Sequence, residues 1–167
     1  LEGDWDFAAG SYFTNFVPRI HVYPNAEIMF DEKSAVRWMA GFDWGMAHQA
    51  AWVLACQDKL GNTYIVDEWS ESDHVVDQQA EAFFDLIAPH HITLSDIDFI
   101  SSGRDCFNRG KDGMTVADDM ERMGITLTEG EVERVNGFKI FHSMFGDSEV
   151  NVKPRLYIHQ KCTKLIT

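Results

Sequence analysis

The sequence predicts an α/β domain in which helices cover a mixed sheet, and three observations predict it. Three apolar runs succeed one another across turn signals, the pattern of an antiparallel meander. A segment with helical spacing then leads to a fourth apolar run, the pattern of a crossover that returns a strand parallel to an earlier one. Two more helical segments alternate with short extended ones, giving the order βββαβαβαβ without internal repeat or low-complexity tract.

Residues 1–36 read as a lead-in to the main domain, residues 37–167. Leu1 to Asp6 and Ala9 to Phe13 are turn-rich with interspersed aromatics, Ile20-His21-Val22-Tyr23 suits a short strand, and Pro24-Asn25 ends it. These aromatics require a surface to pack against, expected in a preceding domain. The chain begins at Leu1 and not at Met, so it reads as a piece of a longer protein, and its opening does not read as a signal peptide.

Trp38 to Phe42 forms the first strand and delivers Asp43 to its end, where Gly45 lets the backbone turn without a Cβ clash. Ala50 to Cys56 and Thr63 to Trp69 supply the next two strands, separated by the turn Lys59-Leu60-Gly61-Asn62. Ser72-Asp73 suits the cap of a helix from His74 to Ile87, with Val75, Val76, Ala80, Phe83, Phe84 and Ile87 close to the period of one buried face and Pro89 as its stop. Ile97 to Ser102 is the fourth strand. Running parallel beside the first, it would bring Asp105 opposite Asp43 at one rim of the sheet. Thr115 caps a helix over Val116 to Met123, Gly124 stops it, and Ile125 to Leu127 reads as a fifth strand. Glu131 to Phe145 has helical spacing weakened by Asn136-Gly137, Arg155 to His159 is a last strand, and a further segment opens at Cys162.

Composition narrows the function classes. The net charge of −13 argues by itself against a protein that binds nucleic acid mainly by phosphate neutralisation. The charge is uneven: residues 1–103 hold 17 acids and 4 bases, whereas residues 104–167 hold 10 of each. The bases Arg104, Arg109 and Lys111 adjoin Asp105; a solvated face explains such a cluster more often than a phosphate track does, so it permits phosphate contact without requiring it. No apolar run reaches the length of a membrane span. Three widely separated cysteines, Cys56, Cys106 and Cys162, have no zinc spacing and read as free, inert thiols.

Two aspartates at neighbouring strand ends form a place where hard oxygen ligands can hold divalent cations, the arrangement that supports hydrolysis of a phosphodiester by in-line attack of water. Glu68 has two readings, a supplementary ligand or an exposed edge carboxylate, and the second is favoured. Asp67 is expected to face solvent by alternation, His48 to be a surface loop histidine, and His90-His91, which lacks a partner acid at metal spacing, to have no role in the site. His142 and His159 are left open, and Arg134 is either a phosphate contact or the anchor of its own helix. Gly110-Lys111 lacks the preceding glycine of a phosphate loop, and no dinucleotide loop, zincin motif or nucleophile elbow is present.

Gly41-Phe42-Asp43-Trp44-Gly45, Ser101 to Asn108, Gly113-Met114-Thr115-Val116-Ala117, Gly124 to Leu127, Glu133-Arg134-Val135-Asn136-Gly137 and Lys161 to Ile166 occur in an order that resembles the large terminase subunits of tailed phages. Leu1 to Trp5 with Gly10 to Phe13 resembles the segment that joins their ATPase motor to the nuclease. The resemblance implies a ribonuclease H-like nuclease domain that cuts concatemeric viral double-stranded DNA with two Mg²⁺ or Mn²⁺ ions. It makes Asp43 the first-strand ligand and Asp105 the acid after the fourth strand; Arg104, Arg109 and Lys111, by adjoining Asp105, and Arg134 are candidate DNA contacts beside it. It further implies a third acidic cluster in a helix beyond Thr167, and as partners the ATPase motor domain, the small terminase subunit and the portal, all in the host cytoplasm. The turn departs from the family, with Met46-Ala47-His48-Gln49 where an Asp-Pro pair is more usual. Two alternatives stand beside this reading: a docking module of the motor with vestigial hydrolysis, and a junction resolvase or transposase of the same fold class.

Overall fold

The computed structural model describes residues 13–24, 35, 37–111, 113–130, 134–147 and 149–166, with backbone alone for 134 and 135. Seven strands form one mixed sheet: β1 Val22–Tyr23, β2 Arg37–Asp43, β3 Ala50–Gln57, β4 Thr63–Glu71, β5 Ile97–Ser102, β6 Thr128–Glu129 and β7 Leu156–His159. Their spatial order is β1-β7-β4-β3-β2-β5-β6. The meander β2–β3–β4 is antiparallel. Strand β5 lies parallel to β2, as the crossover argument expects, and β6, β7 and β1 extend the two edges in parallel.

Alternation along the central strands builds two cores. Trp38, Ala40 and Phe42 of β2 and Trp52, Leu54 and Cys56 of β3 point to one face. There they meet Ala80, Phe83, Leu86 and Ile87 of α2 (Val76–Ile87) and Met120 of α3 (Val116–Arg122). Trp52 is fully buried and stacked between Phe42 and Phe83 at centroid distances of 4.1 and 4.2 Å. On the opposite face Ala55, Ile65, Leu156 and Ile158 pack on Phe145 of α4 (Arg134–Phe145) and on Cys162, which precedes α5 (Thr163–Ile166).

Several elements differ from expectation for identifiable reasons. Pro18–His21 forms one helical turn, α1, leaving only Val22–Tyr23 extended. Phe13 and Phe16 pack against Phe145 of this domain, at 5.6 and 5.2 Å between ring centroids, so these lead-in aromatics find their surface here. The remaining aromatics before Phe13 lie outside the described residues. Helix α2 starts at Val76, later than Ser72-Asp73 suggests. Asp73 is left-handed, with φ 61°, and its N–H donates to Met46 O, so it serves the β2–β3 turn and not the helix. Ile125 and Leu127 are buried in the core as an approach to β6, while the ladder itself takes Thr128 and Glu129. The cap at Thr115 is as expected, its hydroxyl accepting the Asp118 N–H at 2.9 Å, and Gly124 stops that helix with φ 88°.

The expectation that Asp67 faces solvent fails because of a bulge. Leu54 pairs with Asp67 but the next residue, Ala55, pairs with Ile65, so β4 carries one extra residue and its alternation shifts. Asp67 is therefore half-buried and accepts from His90 Nε2 at 3.0 Å and Lys161 Nζ at 2.6 Å. His90 has the partner acid that its sequence neighbourhood does not suggest. Burial alone would raise the Asp67 carboxyl, yet the bonds from His90 and Lys161 hold it below the usual range.

Candidate functional site

The rim formed by the ends of β2 and β5 collects the chemistry-bearing residues. Phe42 lies opposite Ser102 in the parallel ladder, so Asp43 and Gly103 leave the sheet side by side. Asp43 is the last residue of β2, exposed, and faces away from the Trp52 core because Phe42 faces into it. Beyond Gly103 the chain makes a single 3₁₀ turn, Arg104–Phe107, closed by Cys106 N–H to Gly103 O at 3.2 Å. This turn throws Asp105 back over Gly103: a Cβ built on Gly103 would lie 2.5 Å from Asp105 Oδ1. Glycine is thus required for the carboxylate to occupy that position.

The fully buried Cys106 registers both aspartates. Burial raises its thiol, to about 11, and the charges of Asp105 and Asp43 push in the same direction. Both carboxylates therefore lie within electrostatic reach of one sulfur. All three cysteines are free and buried, in keeping with inert thiols.

Beside the two acids is an open cleft of about 360 Å³, lined by Gly41, Asp43, Ala51, Val53, Ser101, Gly103 and Gly130 among others. Three of its lining residues are glycines. A Cβ on Gly41 would enter empty space, whereas one on Gly130 would meet Ser101 Oγ at 2.5 Å. A bulky, charged ligand backbone can approach such a lining closely.

The other candidates are spread over several elements. Arg104 is exposed and lies 3.7 Å from Glu129 at the end of β6. Arg109 is exposed and near enough to Asp118 to help lower that carboxyl, after the larger contribution of its bonds to Thr115. Lys111 is exposed, and Arg134 opens α4. Glu68 lies on the cleft face across Val53, but its two oxygens accept the Lys164 and Leu165 N–H groups at 2.6 and 3.1 Å, capping α5. His48 is exposed in the β2–β3 turn. His142 is exposed near the end of α4, and His159 lies in β7 against the Tyr23 ring at 5.0 Å. Asp43 and Asp105 are brought to one place; among the described residues no group of three His, Cys, Asp or Glu side chains is placed to hold a metal ion. Two carboxylates with hard oxygens at an exposed rim are donors of the kind that Mg²⁺ and Mn²⁺ accept, and on that chemistry the pair fits part of such a site.

Sequence reasoning missed the residue that holds the turn after Asp43. Gln79, on the buried stripe of α2 with Val76, Ala80 and Phe83, donates from Nε2 to Gly45 O at 2.6 Å. The available signal was a polar side chain at the period of an otherwise apolar face.

No family model matches the chain, and no curated protein matches it in sequence. Solved structures do match in fold. The large terminase of the thermophilic bacteriophage D6E bound to ADP superposes with a TM-score of 0.72 at 11% identity, covering 93% of this chain and 35% of that one. The P22 large terminase nuclease domain superposes with a TM-score of 0.67 at 13% identity, covering 93% of this chain and 75% of that one. The chain thus spans about a third of the length of the D6E terminase that it matches. Among the described residues no helix is long and apolar enough to cross a membrane. With helices on a mixed seven-stranded sheet, the chain has the ribonuclease H-like fold of the phage large-terminase nuclease domain.

Proposed function

We propose that this chain is the metal-dependent endonuclease domain of a viral DNA-packaging terminase, cutting double-stranded DNA by hydrolysis of the phosphodiester. The observation that carries the reading is the parallel β2–β5 pairing, which sets Asp43 and Asp105 at one rim of a terminase-nuclease fold. Asp43 and Asp105 would hold Mg²⁺ or Mn²⁺, with further ligands from water and phosphate. Bound there, two such ions supply charge neutralisation and activate water. The residues themselves position: the glycine-lined cleft admits the sugar-phosphate backbone, and Arg104, Arg109, Lys111 and Arg134 steer phosphate toward an otherwise acidic surface. In the full-length protein the ATPase motor, small subunit and portal are the partners, and the host cytoplasm is the compartment.

Plasmid nicking by the full-length protein in Mn²⁺ tests the reading, with Asp43→Asn expected to abolish cutting while the fold persists. Undiminished nicking by that variant would overturn it. The acidic first 103 residues favour a second reading, a docking module. That reading requires portal or motor binding to survive replacement of both aspartates, with no metal-dependent cutting by the wild type.

A further inference from the structure

We infer that Gln79 is a positioning residue for Asp43, acting through the turn that follows it; the inference rests on the reading of Asp43 as a cation ligand. Gln79 is fully buried and sits 34 residues from its acceptor Gly45. Both hydrogens of its Nε2 are used, one on Gly45 O and one on His74 O, each at 2.6 Å. Two carbonyl acceptors at one nitrogen fix the amide orientation, since the side-chain oxygen could bond to neither. That oxygen is itself buried, with no partner among the described residues.

An amide on an apolar stripe with an orphaned acceptor is a liability that leucine or methionine would avoid. What the amide supplies, and an apolar residue cannot, is a rigid link from α2 to the β2–β3 turn. Gly45 is two residues after Asp43 and tightly enclosed, for a Cβ there would meet His48 O at 2.5 Å and Gln49 O at 2.6 Å. The Asp73 N–H grips the next residue, Met46, at 2.8 Å. The indole N–H of Trp52 bonds to the Gln79 carbonyl at 2.7 Å, tying the same helix turn to the strand that pairs with β2. Asp43 thus stands between a strand ladder and a clamped turn. Its direction at the rim depends on both.

The test uses the full-length protein with Gln79→Met, which keeps side-chain length and removes both donors, and Gln79→Asn, which is one methylene shorter and keeps a polar group. Mn²⁺ affinity is read by paramagnetic resonance, amide exchange is followed in residues 44–49 and in α3, and Tm serves as control. Both variants are expected to weaken Mn²⁺ binding by about tenfold, the lower end of the effect of an outer-sphere partner. Exchange should accelerate in residues 44–49 and not in α3. If Gln79→Met fails to fold, Gln79→Asn carries the same expectation. Wild-type Mn²⁺ affinity in a folded variant, with Asp43→Asn abolishing binding, would overturn the inference and leave the nuclease reading intact. Retained Mn²⁺ binding in Asp43→Asn would instead overturn the reading of Asp43 on which the inference stands.

Discussion

Replacing Gly103 with alanine separates the geometry of the rim from the stability of the domain. A Cβ at this position would lie 2.5 Å from Asp105 Oδ1, where ordinary contact begins at 3.4 Å, so the carboxylate oxygen must retreat by about 0.9 Å. A misplacement of about 1 Å at a reacting group costs on the order of 100-fold in rate. The backbone does not resist the change: Gly103 has φ −63° and ψ 156°, an extended conformation that alanine adopts freely. Loss of glycine's freedom in the unfolded chain should even stabilise the domain by about 0.4–1 kcal/mol. For a chain of this size that raises Tm by about 1–4 °C. Gly103→Ala is therefore expected to melt at or slightly above the wild-type temperature while Mn²⁺-dependent plasmid nicking falls about 100-fold. Wild-type nicking by this variant would refute the argument that the position of Asp105 over Gly103 is the working one. A Tm lowered by several degrees would refute the account of the local packing.

Other perturbations address the ties that hold the sheet. Asp67→Asn weakens the bonds to His90 and Lys161 and should cost about 1–3 kcal/mol, read as a lower urea midpoint. Because the folded carboxyl is held below its usual range, its contribution is complete above the unfolded pKa of about 3.9 and is lost as pH falls through the folded value. The difference between wild type and variant should therefore shrink below about pH 4, and a constant difference would rule out the charged interaction. Glu68→Ala removes the acceptor of the Lys164 and Leu165 amides, so their exchange should accelerate by about 2- to 30-fold, equivalent to about 0.5–2 kcal/mol of lost capping. Mn²⁺ affinity should not change in that variant; a fall would make Glu68 a ligand and not only a cap.

The sequence by itself determined the elements whose cause is local. The strand Ile97–Ser102 is legible from its apolar run, and the Thr115 cap and Gly124 stop are legible because capping and left-handed termination involve neighbouring residues. The β2–β5 adjacency was also within reach, since a crossover of one helix leaves few places for a parallel strand. Tertiary structure decided what depends on partners far along the chain. Period-two reasoning placed Asp67 in solvent because it cannot see a bulge, which is set by pairing with β3, and so it missed both His90 and Lys161. Glu68 found the amides of α5 96 and 97 residues away, and Gln79 found Gly45 across 34. Periodicity reports which way a side chain points relative to its own backbone. Which polar group waits there is a property of the assembled sheet, because a buried donor or acceptor takes whatever partner folding brings within hydrogen-bond distance.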